Sequence, residues 1–396
     1  MVDVGIVGQG YVGLPIAVEV ARAGFKVVGI DSDLGKVEKL NSGQSVVEDI
    51  KDSELSDLLE SGRYFATADF KCLQTAEVIL ICVPTPLDTG GMPDLSSLIS
   101  ASSSVAKNMK QNALVIIESS VAPGTTRNIV LEVIEKESGI NQKNFYLAFS
   151  PERIDPQNKN WGLKNTPKIV AGLSLESRKI AKEFYLRFVD TVIECDSLEV
   201  AETAKLLENS FRLINISFIN ELAIFCQKLG IDVNEVIKAA STKPYGFMSF
   251  YPSVGVGGHC IPVDPVYLAK KAQEINAPSR MISLAIDINQ EMPKYFIDRA
   301  EKHLGGLDGR NILVVGISYK PNVSDLRESS VLALITGLKE RGSKVQWHDE
   351  LVKVWDSEHS VPISDQYDLA ILATPHDYLD LTKLGDVPIL NTRGSI

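Results

Sequence analysis

The chain has 396 residues, 44% of them hydrophobic, and a formal charge of −11, which indicates a soluble globular protein of two or three domains. No apolar run reaches membrane length and no signal peptide precedes the first strand-like segment, while the negative charge argues against a broad surface for nucleic acid or anionic membrane. Five scattered cysteines without paired spacing indicate reduced thiols in a cytoplasm.

The opening segment predicts a strand, a turn, a helix and a second strand. An apolar strand at residues 4–7 meets a glycine turn, a helix follows over about residues 11–23, and another apolar strand covers residues 26–30. In this context a glycine-rich turn binds the pyrophosphate of a dinucleotide.

The turn has the spacing G-x-G-x-x-G, formed by Gly8, Gly10 and Gly13. The first glycine allows the tight turn, the second lets the backbone approach a pyrophosphate, and the third lets helix and strand pack closely. Asp31 ends the second strand, where its carboxylate can accept hydrogen bonds from ribose hydroxyls and would repel a ribose phosphate. We therefore expect NAD rather than NADP as the cofactor; a glycine-tolerant turn without a ligand is the alternative.

Three further strand-like segments, at residues 76–86, 113–121 and 144–153, alternate with helical segments. This alternation predicts a doubly wound parallel sheet, with functional residues after the carboxyl ends of its strands. The loops at those ends are Val83-Pro84-Thr85-Pro86, Glu118-Ser119-Ser120 and Ser150-Pro151-Glu152-Arg153.

A mostly helical region begins near residue 198. One long helix is predicted to continue to Gly230, with more helix to about residue 275 and another helix over about residues 278–304. Beyond it the chain repeats the opening order of strand, loop, helix and strand without the G-x-G-x-x-G turn, as in a second, degenerate nucleotide-binding half.

These patterns predict an α/β fold in which two Rossmann-like doubly wound domains are joined by a central helical domain with a long connecting helix. The predicted domains are residues 1–197, 198–304 and 305–396. Two such nucleotide-binding domains indicate that one chain binds two nucleotides.

Three polar residues of the long helix, Lys205, Asn209 and Arg212, are spaced by four and by three and therefore share one face. A solvated polar face is the ordinary interpretation. The opposite face is already apolar, however, and asparagine is a poor helix former, which favours a functional interpretation.

The stretch GVGGHCIPVDP places Cys260 between glycines and prolines, in a segment too rigid for an ordinary helix or strand. Three interpretations are open: a small buried apolar side chain, a metal ligand with His259, or a nucleophile activated as thiolate. No second cysteine or histidine lies at ligand spacing, so no metal is expected. In a nicotinamide enzyme such a thiol can capture an aldehyde and leave a thioester for water to hydrolyse, and Asp264 can orient a water or a base.

Seven motifs follow one another along the chain: GQGYVG, VPTP, SSVAPGTT, SPERIDP, KLLENSFRLINISFINE, GVGGHCIPVDP and YKPNVSDLRES. In these motifs and their order the chain resembles the UDP-glucose/GDP-mannose dehydrogenase family over essentially its whole length. The resemblance implies an NAD-binding Rossmann domain, a central helical dimerisation domain and a UDP-binding domain. It also implies oxidation of a sugar C6 alcohol to a carboxylate with two NAD, and a place in polysaccharide biosynthesis.

The resemblance assigns catalytic roles to six side chains. They are Cys260 as nucleophile, Lys205 and Asp264 for the water and the C6 oxygen, Asn209 to polarise that oxygen, Glu152 for the hydrolysis step, and Ser120, where the family often has threonine, near the nicotinamide and the catalytic water. The predicted cofactor-binding residues are Gly8, Gly10, Tyr11, Val12, Gly13, Asp31, Val83, Pro84, Thr85, Ser120 and Arg327. The predicted substrate-binding residues are Glu152, Arg153, Lys205, Asn209, Arg212, Tyr251, Gly257, Lys320 and Arg393.

The chain departs from the UDP-glucose members at Pro156, where those members commonly have a second glutamate. The forms SPERIDP and GGHCIPVDP are more similar to the branch that acts on UDP-N-acetylhexosamines, particularly UDP-N-acetylglucosamine. Ser253, Val254 and Gln157 replace residues common in that branch. UDP-N-acetylmannosamine and UDP-glucose are the alternative substrates.

Two other classes of protein share part of these features. An NAD-dependent reductase of small hydroxy acids has the same opening fingerprint but no use for Cys260 or for a second nucleotide domain. A non-enzymatic nucleotide-binding regulator would not need the lysine, asparagine, cysteine and aspartate set.

Overall fold

The strands and helices alternate through most of the chain, which a computed structural model describes for residues 2–155, 158 and 160–394. The strands are β1 (Val4–Val7), β2 (Val27–Ile30), β3 (Tyr64–Thr67), β4 (Val78–Ile81), β5 (Leu114–Ile117), β6 (Tyr146–Phe149), β7 (Lys168–Gly172), β8 (Val192–Glu194), β9 (Asn311–Val315), β10 (Lys344–His348), β11 (Val354–Trp355), β12 (Glu358–His359), β13 (Leu369–Leu372) and β14 (Ile389–Asn391). The helices are α1 (Gly13–Arg22), α2 (Leu34–Asn41), α3 (Asp52–Glu60), α4 (Ser96–Asn108), α5 (Leu131–Ser138), α6 (Leu175–Tyr185), α7 (Leu198–Leu229), α8 (Val233–Ala240), α9 (Asp264–Glu274), α10 (Arg280–Leu304) and α11 (Ser330–Glu340).

The chain divides into two units, Met1–Leu207 and Glu208–Ile396. The first unit contains a sheet with the strand order β3-β2-β1-β4-β5-β6-β7-β8. Strands β1 to β6 are parallel, β7 runs antiparallel to β6, and β8 is parallel to β7. The order 3-2-1-4-5-6 is that of a dinucleotide-binding sheet, in which the strand order reverses between β1 and β4.

Helices cover both faces of this sheet. One core cluster joins Leu14 and Ile16 of α1 to side chains of the strands, and the other joins Leu98 and Val105 of α4 to the opposite face. Each buried aliphatic side chain of this size contributes about 1.5–3 kcal/mol relative to an exposed one. Because both faces are covered, the central strands β1, β2, β4 and β5 are fully buried and continuously apolar.

The second unit contains a smaller, all-parallel sheet with the order β10-β9-β13-β14, together with a short β11–β12 hairpin. Two Rossmann-like sheets and a helical region with a long helix confirm the predicted fold class. Helix α7 has 32 residues, and α8, α9 and α10 follow it.

The helical region contains an irregular segment, of which the sequence interpretation predicted only the stretch GVGGHCIPVDP as non-helical. Helix was expected to continue to about residue 275, but residues 241–263 form turns and irregular backbone. That expectation was wrong because Pro244, Pro252 and Pro262 cannot continue a helix, and Gly255 and Gly258 adopt left-handed φ angles of 135° and 85°. This irregular segment carries Cys260.

Candidate active site

The glycine turn after β1 has the geometry that a dinucleotide requires. Gly8 has a φ of 92°, and a Cβ on Gly13 would lie 1.8 Å from the carbonyl oxygen of Gly8. A Cβ on Gly10 would meet nothing within 4 Å, so the backbone there is open to an approaching pyrophosphate at the start of α1. These residues fit the dinucleotide that the sequence predicts.

Asp31 lies at the carboxyl end of β2 and is 8% exposed. Its Oδ2 atom accepts hydrogen bonds from the Gln9 amide at 2.8 Å and from Lys36 Nζ at 2.7 Å, and its Oδ1 accepts from the Asp33 amide at 3.1 Å. Burial acts to raise the pKa of Asp31, but the bonds from Lys36 and the two amides outweigh it and lower the pKa below its ordinary value. Asp31 is therefore a fixed carboxylate.

The loops that follow β4 and β5 are joined by side-chain hydrogen bonds. Thr85 Oγ1 donates to the Ser120 carbonyl at 2.8 Å, and Ser119 Oγ donates to the Val83 carbonyl at 2.6 Å. The structure thus brings together Val83, Thr85 and Ser120, which were predicted separately as cofactor-binding residues. Tyr11, another of these, donates from its hydroxyl to Glu48 at 3.0 Å.

Buried Glu202 of α7 accepts hydrogen bonds from the loop after β5, which carries the motif SSVAPGTT. Its two carboxylate oxygens accept hydrogen bonds from the Gly124 amide at 2.6 Å and the Thr126 amide at 2.9 Å. The sequence interpretation did not single out Glu202, which lies 76 residues from Thr126 along the chain.

Glu152, in the loop after β6, is held through one of its two oxygens. Oε1 accepts hydrogen bonds from the Arg153 amide at 2.6 Å and from the Ile154 amide at 2.5 Å. Oε2 is buried and has no hydrogen-bond partner among the described residues, and Lys168 Nζ lies 3.8 Å from it. Arg153 directs its guanidinium to the Pro167 carbonyl at 2.6 Å. Pro156 and Gln157, which the sequence interpretation discussed in this loop, lie outside the described residues.

Helix α7 presents two of the three predicted polar residues in buried positions. Lys205 is 8% exposed and Asn209 is 7% exposed, whereas Arg212 is exposed. Asn209 Nδ2 donates to Asp264 Oδ2 at 2.6 Å, so these two predicted catalytic residues form a buried pair. A purely solvated polar face does not describe Lys205 and Asn209.

Cys260 is exposed, which excludes its interpretation as a buried apolar side chain. It precedes the first residue of α9 by four positions, and the amides of Val263 and Asp264 donate to its carbonyl at 3.2 and 2.9 Å. The nucleophile interpretation requires this thiol to react as thiolate.

His259 does not supply the cation for such a thiolate. Burial and then the charge of Arg327 lower the pKa of His259 below its ordinary value, against a smaller opposing effect of Asp325. The imidazole is therefore neutral near pH 7. Across the described ranges, no group of three potential ligand side chains is arranged to hold a metal ion.

Two buried asparagines hold the segment that carries Cys260. Asn220 Oδ1, on α7, accepts from the Ser253 amide at 2.9 Å. Asn289, on α10, accepts from the Val256 amide at 2.7 Å and donates to the Val256 carbonyl at 3.3 Å. The sequence interpretation assigned no role to Asn220 or to Asn289.

The glycines of this segment lie against residues 319–328. A Cβ on Gly257 would meet the Glu328 carbonyl oxygen at 2.5 Å and Tyr319 Cβ at 2.9 Å. The Gly258 amide donates to the Arg327 carbonyl at 3.0 Å. Only glycine permits this close approach. Gly257, which was predicted to bind substrate, is therefore required for packing.

The remaining predicted residues lie in the second unit. Lys320 is half-buried, its carbonyl accepts from Ser318 Oγ at 2.9 Å, and the Arg327 guanidinium pairs with Asp325 at 2.6 Å. The Arg393 carbonyl accepts from Asn234 at 2.8 Å, and burial lowers the pKa of the Arg393 guanidinium.

The sequence neighbours of Tyr251 and Arg393 line one cavity. Tyr251 is 54% exposed. This small cavity is lined by Pro252, Thr392 and Gly394 among others.

The first sheet and its glycine turn are those of a dinucleotide-binding protein. Residues 2–189, 199–291 and 313–391 match, in order, the NAD binding domain, the central domain and the UDP binding domain of the UDP-glucose/GDP-mannose dehydrogenase family. The chain belongs to this family, and it is an NAD-dependent UDP-sugar dehydrogenase. Within the ranges described, no helix has both the length and the apolarity to cross a membrane.

Three relatives illustrate the similarity. A UDP-N-acetyl-D-glucosamine 6-dehydrogenase of Pseudomonas aeruginosa is 36% identical over 386 residues, covering 94% of this chain and 90% of that protein. The structure of a UDP-D-ManNAc dehydrogenase from Pyrococcus horikoshii matches with a TM-score of 0.91 at 32% identity, covering 99% of this chain and 95% of the other. A UDP-glucose dehydrogenase from Pyrobaculum islandicum matches with a TM-score of 0.91 at 26% identity, covering 99% and 94%.

Proposed function

We propose that this protein is a UDP-N-acetylhexosamine 6-dehydrogenase, which oxidises the sugar C6 alcohol to a carboxylate in two steps through a thiohemiacetal and a thioester on Cys260. The observation that carries the proposal is the exposed Cys260 in a segment held by Asn220, Asn289 and close glycine packing. A reductase of small hydroxy acids would have no use for a thiol presented in this way. Bound NAD accepts a hydride in each of the two oxidations.

The pair formed by Asn209 and Asp264 supports the role proposed for both residues. The amide of Asn209 fixes one oxygen of the Asp264 carboxylate, which orients that carboxylate toward a water or a substrate hydroxyl. Lys205 lies one turn before Asn209 on α7, and a largely buried lysine at this position is suited to stabilise negative charge developing on the C6 oxygen. Ser120 is proposed to lie near the nicotinamide and the catalytic water.

Glu152 is the proposed general base for thioester hydrolysis. Two backbone amides hold Oε1 and thereby fix the orientation of the carboxylate. The other oxygen, Oε2, accepts no hydrogen bond within the described residues. An oriented carboxylate oxygen of this kind can take a proton from water as that water attacks the thioester carbon.

The test combines stoichiometry with trapping of the covalent intermediate. The wild-type enzyme is expected to release two NADH per sugar, whereas a simple reductase reaction would exchange one. Glu152→Gln is expected to stall after both hydride transfers, with the mass of a UDP-sugar acyl adduct on Cys260 in intact-protein mass spectrometry. The adduct must be absent from Cys260→Ala, and a Glu152→Gln enzyme that turns over at the wild-type rate would refute this role.

For the sugar, we propose UDP-N-acetylglucosamine, with UDP-N-acetylmannosamine as the near alternative. The proposal rests on the SPERIDP and GGHCIPVDP motifs and on relatives named for both sugars. A site that pairs the N–H and the carbonyl of an acetamido group leaves buried polar groups unpaired when it binds UDP-glucose. This costs about 1–3 kcal/mol for each group, or roughly ten- to hundredfold in kcat/KM.

A steady-state comparison of UDP-N-acetylglucosamine, UDP-N-acetylmannosamine, UDP-N-acetylgalactosamine and UDP-glucose distinguishes these substrates. We expect the highest kcat/KM with UDP-N-acetylglucosamine. If UDP-glucose gives the highest value, the motif interpretation is wrong, although two NADH per sugar would still support the thioester reaction. The uronic acid product is the basis for proposing a role in polysaccharide biosynthesis, in the cytoplasm.

We further propose that the enzyme is a homodimer formed through the central helices. Phe218, Phe225 and Leu229 of α7 are spaced by seven and four residues, share one face, and are each at least 57% exposed. A contiguous apolar face of this kind marks an interaction site. Phe218→Glu is expected to halve the mass measured by light scattering during gel filtration, whereas Leu175→Glu, at an exposed position of α6, is expected to leave it unchanged.

A further inference from the structure

Behind Glu152, the first unit buries a second carboxylate and a lysine. Glu118 follows β5 and is 1% exposed, Lys168 begins β7 and is 4% exposed, and Tyr185 ends α6 and is 0% exposed. Lys168 Nζ donates to Glu118 Oε2 at 2.7 Å and to the Pro151 carbonyl at 3.2 Å. The Tyr185 hydroxyl donates to the other oxygen of Glu118.

These bonds fix the lysine ammonium in place next to Glu152. Glu118 and the Pro151 carbonyl each accept from Nζ, and Nζ lies 3.8 Å from Glu152 Oε2, the oxygen that has no hydrogen bond within the described residues. A purely structural ion pair would need Glu118 and Lys168 alone. The arrangement instead places one cation between two carboxylates, and the second is the proposed base.

The charges in this cluster oppose one another. Burial raises the pKa of Glu118 to about 7, against the lowering effect of Lys168. Burial acts to lower the pKa of Lys168, but the charges of Glu118 and Glu152 outweigh it and raise that pKa, so the lysine stays an ammonium. Other charged or titratable side chains next to the cluster include Arg153, whose guanidinium donates to the Pro167 carbonyl at 2.6 Å, as well as Tyr185 and the Cys82 thiol. Burial raises the pKa of Tyr185 and of Cys82, so both are neutral near pH 7.

We propose that Lys168 is a positioning residue that supplies a cation beside Glu152 Oε2 for thioester hydrolysis, and that Glu118 and Tyr185 hold Lys168 at the distance this requires. The proposal rests on the function proposed above for Glu152. In the step concerned, the oxygen of water bonds to the thioester carbon while one water proton passes to Glu152. The carbon–sulfur bond then breaks, and its electron pair returns to Cys260 as thiolate.

The test is the pH dependence of hydrolysis of the acyl adduct on Cys260, measured in single turnovers by rapid quench and intact-protein mass spectrometry. In Lys168→Met, Glu152 loses its nearby cation, so the rising limb of the pH profile is expected to move up by about one pH unit or more. Hydrolysis below that limb would then be about tenfold slower or worse, and activity would recover at higher pH. Lys168→Arg is expected to restore most of the wild-type profile.

The converse change separates this role from a structural one. In Glu118→Gln, Lys168 keeps a hydrogen-bond acceptor but has Glu152 as its remaining carboxylate partner, so the limb is expected to move to lower pH. A matched control is Lys182→Met, which breaks an exposed ion pair of 2.6 Å with Glu194 on the same domain and is expected to leave the profile unchanged. A merely structural role for Lys168 would change stability and leave the limb in place.

Removal of one buried charge can prevent folding, so the double variant Glu118→Gln/Lys168→Met supplies a neutral replacement for the pair. Its limb is also expected to move to higher pH. A wild-type pH profile in either folded variant that lacks Lys168 overturns the proposal. If Glu152→Gln fails to accumulate the adduct, the role of Glu152 itself fails; if it accumulates the adduct while the Lys168 variants keep the wild-type limb, only the present proposal fails.

Discussion

The cofactor preference can be reversed at a single position, because Asp31 has a lysine partner already in place. Its carboxylate accepts from Lys36 Nζ at 2.7 Å, and the lysine side chain is 29% exposed. Asp31→Ser removes the charge that opposes a ribose phosphate, and it leaves Lys36 without its carboxylate. We therefore expect the variant to accept NADP, with Lys36 supplying the cation for the phosphate.

The size of the effect follows from Coulomb's law. Two unit charges about 4 Å apart interact by about 4 kcal/mol at an effective dielectric constant of about 20. Lys36 offsets part of the repulsion in the wild-type protein, so we expect a change of about 2–4 kcal/mol, which is roughly thirty- to thousandfold in the ratio of kcat/KM for NAD and NADP. Efficiency with NAD is also expected to fall, because the ribose loses a charged acceptor.

The assay is NADH or NADPH formation at saturating UDP-sugar for the wild type, Asp31→Ser and Asp31→Ser/Lys36→Ser. The double variant should lose the preference for NAD without gaining efficiency with NADP. Because Asp31 also accepts from the Gln9 and Asp33 amides, thermal unfolding must show that each variant is folded. Comparable wild-type efficiency with both cofactors, or an unchanged preference in Asp31→Ser, would refute the reasoning.

Three further predictions concern stability and the cysteine segment. Burial raises the pKa of Glu118 from 4.5 to about 7, so its stabilising contribution is present below about pH 4.5 and is lost as pH rises to about 7; Glu118→Gln should flatten this part of a plot of Tm against pH. Gly257→Ala should reduce kcat at least tenfold and lower Tm, because its Cβ would lie 2.5 Å from the Glu328 carbonyl oxygen. Gly162→Ala should change neither quantity, because its Cβ would meet no atom within 4 Å. His376→Ala should cost about 1–3 kcal/mol in the free energy of unfolding in urea, because buried Asp349 loses a hydrogen bond of 3.1 Å.

The features that could be predicted from sequence are local ones. The dinucleotide turn and Asp31 lie within the first 31 residues, so spacing alone defines their geometry. Strands β1, β2, β4, β5 and β6 were predicted for the same reason, because they form short apolar runs bounded by turn residues. Strands β3, β7 and β8 of the same sheet were not predicted. Likewise, α7 was predicted at nearly its observed bounds because no glycine or proline interrupts it before Gly230.

The supports of the candidate site could not be predicted, because each joins residues that are distant in sequence. Lys168 meets Glu118 across 50 residues, and Asn220 meets Ser253 across 33. Nothing in the local pattern of a lysine that begins a strand distinguishes a buried ion pair from an ordinary exposed cation. Such contacts are set by tertiary packing, which the local pattern of a single sequence does not predict.

The hydrogen bonds from α7 to Ser253 and Asp264 also determine which changes of length residues 253–264 can tolerate. Asn209 and Asn220 are eleven residues apart, close to three full turns, so they project from one face about 16 Å apart. Their partners, Asp264 and Ser253, are eleven residues apart as well, yet eleven residues of chain can extend to about 36 Å. The segment therefore has slack between two fixed ends. Its interior can gain, lose or exchange residues while the ends stay in register, whereas one residue inserted into α7 between the asparagines would turn them about 100° apart and release one end.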